Sequence, residues 1–112
     1  MGTSLSYVIK FVANMDEAVR FHEAELGLKL RFRSPEWTEF DTGSTTLALH
    51  AASDANPPGK CQVGFRVDDI AAFHAALSGR GVKFTLPPTD LHGTKLARFL
   101  DADGAECSVS GA

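Results

Sequence analysis

Residues 7–15 read Tyr7-Val8-Ile9-Lys10-Phe11-Val12-Ala13-Asn14-Met15, and 55 positions later the chain reads Gln62-Val63-Gly64-Phe65-Arg66-Val67-Asp68-Asp69-Ile70. Val8 answers to Val63, Val12 to Val67, and Asn14-Met15 to Asp69-Ile70. Each run is β-rich and apolar, then passes through an Asn or Asp into an apolar pattern of helical period. Two more blocks repeat in the same order. Gly27-Leu28-Lys29-Leu30 matches Gly81-Val82-Lys83-Phe84 at an offset of 54. Phe40-Asp41-Thr42-Gly43 with Leu47-Ala48-Leu49 matches Leu100-Asp101-Ala102-Asp103 with Cys107-Ser108-Val109 at an offset of 60. Three blocks in one order imply two copies of one unit.

The unit reads β-α-β-β-β. In the first copy, residues 6–12 form a strand. Asn14 or Asp16 caps a helix, with Glu17 in its first turn where the dipole favours an anion. Met15, Ala18, Val19, His22 and Leu26 recur at three-to-four spacing, and Gly27 closes the helix. A strand follows at 28–33, then a hairpin of 37–42 and 45–50 across Thr42-Gly43-Ser44. Residues 52–60 are polar, hold Pro and Gly, and read as a linker. In the second copy, residues 61–67 form the strand. Asp68 or Asp69 caps a helix with Ile70, Phe73, His74 and Leu77 on its apolar face, and Gly79-Arg80-Gly81 stops it. A short strand at 82–85, a loop over 86–94, and strands at 95–101 and 105–110 complete it. The chain thus reads as one α+β domain, 1–112, with module one at about 5–51 and module two at about 61–110.

Composition narrows the classes of function. Of 112 residues, 44% are hydrophobic and 22% charged, which suits one globular domain. The net charge is -3, and the 11 Lys and Arg form no run. Nucleic acid and anionic membrane surfaces are therefore not expected partners. No apolar stretch approaches the roughly 18–20 residues of a membrane span, and no secretory signal pattern opens the sequence. Met1-Gly2-Thr3-Ser4-Leu5-Ser6 fits the myristoylation pattern, a short motif that arises easily by chance. Cys61 and Cys107 lie far apart, form no CxxC pair, and read as two reduced, half-buried residues, placing the protein in the cytoplasm.

Strand alternation assigns faces. Val8, Val12, Leu47, Leu49, Val63, Phe65, Val67, Cys107 and Val109 go under the helices, with Lys10 the odd member of that set. Tyr7, Ile9, Phe11, Thr46, Ala48, His50, Gln62, Gly64, Arg66, Glu106 and Ser108 take the opposite face, joined by Trp37 and Glu39.

The duplicated βαβββ unit resembles the vicinal-oxygen-chelate superfamily, which holds glyoxalases, bleomycin-resistance proteins and dioxygenases. The resemblance rests on Val12-Ala13-Asn14-Met15-Asp16-Glu17-Ala18-Val19-Arg20-Phe21, Leu26-Gly27-Leu28, Phe65-Arg66-Val67-Asp68-Asp69-Ile70 and Phe99-Leu100-Asp101-Ala102-Asp103-Gly104. It implies an open half-barrel with helices outside, a concave ligand groove and, commonly, a homodimer. It also implies four metal positions, which fall here on Tyr7, Ala48, Gln62 and Ser108. The family usually places His, Gln or Glu there, so only Gln62 suits, and no cofactor is expected. A shifted register offers His50, Gln62 and Glu106 as an alternative metal set.

Two principal readings follow. In the first, the protein is a metal-free binder resembling the antibiotic-resistance members, sequestering an aromatic or cationic organic ligand. Tyr7, Phe11, Trp37, Glu39, Ala48, His50, Gln62, Arg66, Arg98 and Ser108 line its groove. In the alternative it is a lyase, isomerase or dioxygenase-type enzyme, using a divalent metal or His50 and Glu106 as acid–base residues. A third reading is a structural or regulatory dimer whose groove its own side chains fill. Arg66 either binds a ligand anion or pairs with Glu106. His22 and His74 read as packing residues, and His92 as a solvated loop residue.

Overall fold

The computed structural model describes residues 2–91 and 93–112. Module one runs β1 (Ser4–Val12), α1 (Met15–Arg20) with a π-helical continuation (Phe21–Glu25), β2 (Lys29–Phe32), β3 (Trp37–Asp41) and β4 (Thr46–Ala51). Module two runs β5 (Cys61–Val67), α2 (Ile70–Gly79), β6 (Phe84–Leu91), β7 (Thr94–Leu100) and β8 (Glu106–Gly111). The chain is α+β, built of two βαβββ units. The strand order is β2-β3-β4-β1 in module one and β5-β8-β7-β6 in module two.

The internal repeat is a repeat of physical devices. Asn14 and Asp69 are both extended, and each side chain accepts the N–H three residues on, from Glu17 and Ala72, at 3.0 Å. Gly27 and Gly81 both follow their helices with positive φ, 69° and 88°, which a residue with a Cβ enters at a cost. In each unit the first and last strands pair in parallel, with Ile9 opposite Ala48 and Gly64 opposite Ser108. Ile9 and Gly64 are 55 residues apart and Ala48 and Ser108 are 60 apart, the same offsets the sequence shows.

In module one the helix-side face buries Val19, Phe40 and Leu49, packed by Val12, Met15, Ala18, Leu28, Leu30 and Leu47. Lys10 lies on that face, opposite Leu49. Its ammonium reaches His22 Nε2 at 3.1 Å, while His22 Nδ1–H donates to the Ala18 carbonyl at 2.7 Å. His22 is only 4% exposed and stacks on Phe40, so both ring nitrogens are satisfied inside the core. Where this ring enters the helical ladder, bonding widens to i→i+5, as in Leu26 N–H to the Phe21 carbonyl. His22 is thus a packing residue.

In module two the helix-side face buries Val67, Ile70, Phe73, Ala97 and Val109, with Phe65, Leu77, Phe84 and Phe99 against it. His74 packs edge-on to Phe84 at 4.5 Å. Val63, expected under the helix, is 36% exposed, because the β5–β8 ladder begins only at Gly64. Gly111 admits no side chain, since a Cβ there would stand 2.3 Å from the Val67 carbonyl oxygen.

Three expectations change. The short strand at 82–85 and loop at 86–94 are a long edge strand, β6, running to Leu91. Register shifts between Phe84 and Leu86 and between Leu86 and Thr89 accommodate Pro87-Pro88, and an edge position asks less of their missing N–H groups. The strand expected at 28–33 is shorter. Of the two cysteines, Cys61 is exposed and Cys107 is buried, and both are free. His92 lies outside the described residues.

Two predictions follow from these contacts. Asn14→Ala and Asp69→Ala each cost about 1 kcal/mol, and the double variant costs their sum because the caps share no partner; urea unfolding midpoints check this. Burial, and then the carboxylates of Asp101 and Glu106, push the Cys107 thiol above its ordinary range. As pH rises the unfolded chain then gives up this proton first, so Cys107 lowers stability on the alkaline side. A thiol-reactive chromophore at neutral pH should label Cys61 in the native protein and Cys107 only after unfolding.

Candidate functional site

The exposed-side face of module one is laid out by its register. Phe11, His50 and Trp37 form one row across β1, β4 and β3; Ile9, Ala48 and Glu39 form the next. Ile9, Phe11 and Ala48 make a floor that is 7%, 4% and 0% exposed. Tyr7 and Trp37 pack on this floor, and both they and His50 stay half-exposed. Ring centroids stand 5.9 Å apart for Tyr7–Trp37, 5.8 Å for Trp37–His50 and 5.1 Å for Phe11–His50. These are contact distances for tilted and edge-on aromatic pairs. The small Ala48 at the centre lets the surrounding rings converge.

The polar atoms of this face are largely engaged. Trp37 Nε1–H donates to Glu39 Oε2 at 2.8 Å. Arg31 Nε and Nη2 donate to Glu39 Oε1 at 3.2 and 3.0 Å, and Nη2 also donates to Thr46 Oγ1. Glu39 therefore has its charge matched by Arg31. Sequence reasoning overlooked Arg31. Alternation alone puts Arg31 on the face opposite Leu30, but its place beside Glu39 comes from the β2 bulge, which the sequence does not signal. His50 Nδ1–H donates to the Ala51 carbonyl at 2.7 Å.

Module two places a different chemistry on its corresponding face. Arg66 stands opposite Ser110, and Gly64 and Arg98 both stand opposite Ser108. Arg98 is half-buried, and Ser108 is 8% exposed. Thr85 Oγ1–H donates to the Glu106 carboxylate at 2.7 Å. Arg66 makes no ion pair among the described residues, so of the two roles open to it the pairing with Glu106 is not formed. It lines an open cleft of about 480 Å³ with Asp90, Thr94, Lys95 and Ser110. Gln62, at the start of β5, is 8% exposed. Tyr7, Phe11, Trp37, Glu39, Ala48 and His50 are thus gathered on one face of module one, and Arg66, Arg98, Glu106 and Ser108 on one face of module two.

The four positions at which a metal would be expected carry a phenol, a methyl group, a carboxamide and a hydroxyl. Ala48 is fully buried and offers no donor atom. Among the described residues no group of three or more His, Cys, Asp and Glu is placed to hold an ion. Divalent ions need several imidazole, thiolate or carboxylate donors to offset dehydration, so these residues do not fit one. The turn at 101–104 is held by Asp101 Oδ1, which accepts from Asp103 and Ala105 N–H at 2.9 Å, so its carboxylate is occupied in turn formation.

The duplicated βαβββ architecture, with an aromatic face in one unit, defines the class of fold. Residues 4–109 match the model of the Glyoxalase/Bleomycin resistance protein/Dioxygenase superfamily, and the chain belongs to that family. A protein of Mycolicibacterium smegmatis (strain ATCC 700084 / mc(2)155), described as uncharacterized, is 33% identical over 84 residues, 74% of this chain and 72% of that protein. In three dimensions the chain is similar to a hypothetical protein of Bacillus halodurans C-125, with a TM-score of 0.85, 16% identity, and coverage of 100% of this chain and 96% of the other. It is also similar to methylmalonyl-CoA epimerase from Mycobacterium tuberculosis, with a TM-score of 0.80, 19% identity, and coverage of 96% and 87%. At these identities the two structures share the fold.

Removing the carboxylate that holds Trp37 tests this arrangement. Glu39→Ala should cost about 1 kcal/mol, the exposed guanidinium adding little. It should also speed hydrogen exchange at the Trp37 indole N–H roughly tenfold. Glu39→Gln, which keeps an acceptor for the indole, should leave that exchange near its original rate.

Proposed function

We propose that this protein is a metal-free binder that sequesters a small, flat organic molecule on the aromatic face of module one. The observation that carries the reading is the cluster of Tyr7, Phe11, Trp37 and His50, with contact-distance rings around the methyl group of Ala48. Half-exposed rings over a buried apolar floor offer π faces and edges to an aromatic ligand, which gains from both stacking and burial. A cationic ligand would find aromatic faces here, while Glu39 is already matched by Arg31. We also propose Gln62, Arg66, Arg98 and Ser108 as polar ligand contacts within module two, and a cytoplasmic location. Among the described residues, no helix is long and apolar enough to cross a membrane. We propose a homodimer, for which the exposed side chains Phe21, Leu26 and Phe32 supply apolar surface.

The test combines Trp37 emission with calorimetry. Planar aromatic compounds should perturb Trp37 emission at about one equivalent, and Trp37→Ala should weaken their binding at least roughly tenfold, the scale of losing one aromatic contact. Titration with Mn, Ni, Zn and Fe should show no stoichiometric binding. Tight one-to-one uptake of one of these ions, lost on replacing His50, Gln62 or Glu106, would overturn the metal-free reading in favour of a metal-dependent lyase, isomerase or dioxygenase.

A further inference from the structure

We propose that His50 Nε2 is the hydrogen-bond acceptor that selects the ligand, so that the molecule bound on the aromatic face carries a hydroxyl or N–H donor on its ring. This rests on the aromatic-binding reading and adds the ligand's polarity to it. A carbonyl oxygen only accepts, so the 2.7 Å contact between His50 Nδ1 and the Ala51 carbonyl places the proton on Nδ1. In the neutral ring Nε2 is then a bare acceptor.

Glu39, Thr46 and the Trp37 indole on this face already hold partners, whereas the Nε2 lone pair of His50 holds none among the described residues. The Trp37 indole N–H is spent on Glu39. Both Glu39 oxygens accept, one from Trp37 and one from Arg31. The Thr46 hydroxyl accepts from Arg31. His50 Nε2 makes no hydrogen bond to any described residue. The ring that bears it is edge-on to Trp37, at 89° and 5.8 Å, and inclined at 47° to Phe11 at 5.1 Å. A neutral imidazole nitrogen among aromatic carbons attracts a donor and leaves an ether or halide of the same shape with nothing to give it. A ring that merely stacks satisfies the aromatic side chains, but a ring with a donor also satisfies Nε2. Discrimination by one hydrogen bond in a part-buried site is large for a missing partner.

The test uses 2-naphthol, 2-naphthylamine and 2-methoxynaphthalene with the full chain. Calorimetry should show 2-naphthol and 2-naphthylamine binding roughly tenfold tighter than the methoxy compound, the scale of one hydrogen bond. His50→Phe, which keeps a ring beside Phe11 and Trp37, should bind all three about equally. Nitrogen-15 spectra of the free protein should show His50 protonated on Nδ1 and bare on Nε2, with the Nε2 resonance moving when 2-naphthol binds. Equal affinity of the wild-type chain for the three compounds, or a proton on Nε2 with Nδ1 bare, overturns this inference and leaves aromatic binding standing. Binding of none of them overturns both. A gain for only one of the two donors upholds the inference and identifies which donor the site accepts.

Discussion

Parallel pairing of the first and last strand in each module is the constraint on which the rest depends. β1 and β4 run in the same direction, as do β5 and β8, so the chain cannot join them by a tight turn. In module one it leaves β1 through α1 and reaches β4 by way of β2 and β3; module two repeats the route. The helix must then cover one face of its sheet, and that face must be apolar at every second residue. Once Val12, Leu47 and Leu49 go beneath α1, the period of two delivers Ile9, Phe11, Ala48 and His50 to the other side. Site composition is therefore a by-product of core composition. A slip of one residue in β4 would bury His50 and expose Leu49.

This explains what the sequence made legible. Apolar alternation, Asn and Asp caps and post-helix glycines act locally, so residues 7–15 and 62–70 suffice to reveal them. The gathering of Tyr7, Phe11, Trp37 and His50 followed from the same alternation. What escaped was set by partners distant in sequence. Arg31 reaches Glu39 only because a bulge in β2 shifts the register after Leu30. Pro87-Pro88 looked like a loop because proline ends most strands, yet at an edge, within the register shift from Leu86 to Thr89, the strand continues. Burial of Cys107 beside exposure of Cys61 likewise reflects position in the sheet rather than residue type.

Lys10 shows how an apparent violation of the pattern is absorbed. A lysine on a helix-covered face would be costly if its ammonium were left without a partner. Here the ammonium finds His22 Nε2 at 3.1 Å, a nitrogen left as an acceptor because Nδ1–H is committed to Ala18. The π-helical widening at Phe21–Glu25 goes with that commitment, since the His22 ring takes a carbonyl in the helical ladder. Lysine, histidine and widened helix thus form one arrangement, and each would be anomalous without the others.

Duplication also frames the difference between the two modules. Phe11, Ile9, Ala48 and His50 in one occupy the register of Arg66, Gly64, Ser108 and Ser110 in the other. The helix-side faces stay apolar in both units, because a helix must be buried on each. The opposite faces carry no such demand, and one has become aromatic while the other has become cationic and hydroxylated. Freedom from packing beneath a helix is what lets chemistry accumulate there. That is a physical reason to seek function on this face of module one, where half-exposed Tyr7, Trp37 and His50 stand over buried Ile9, Phe11 and Ala48.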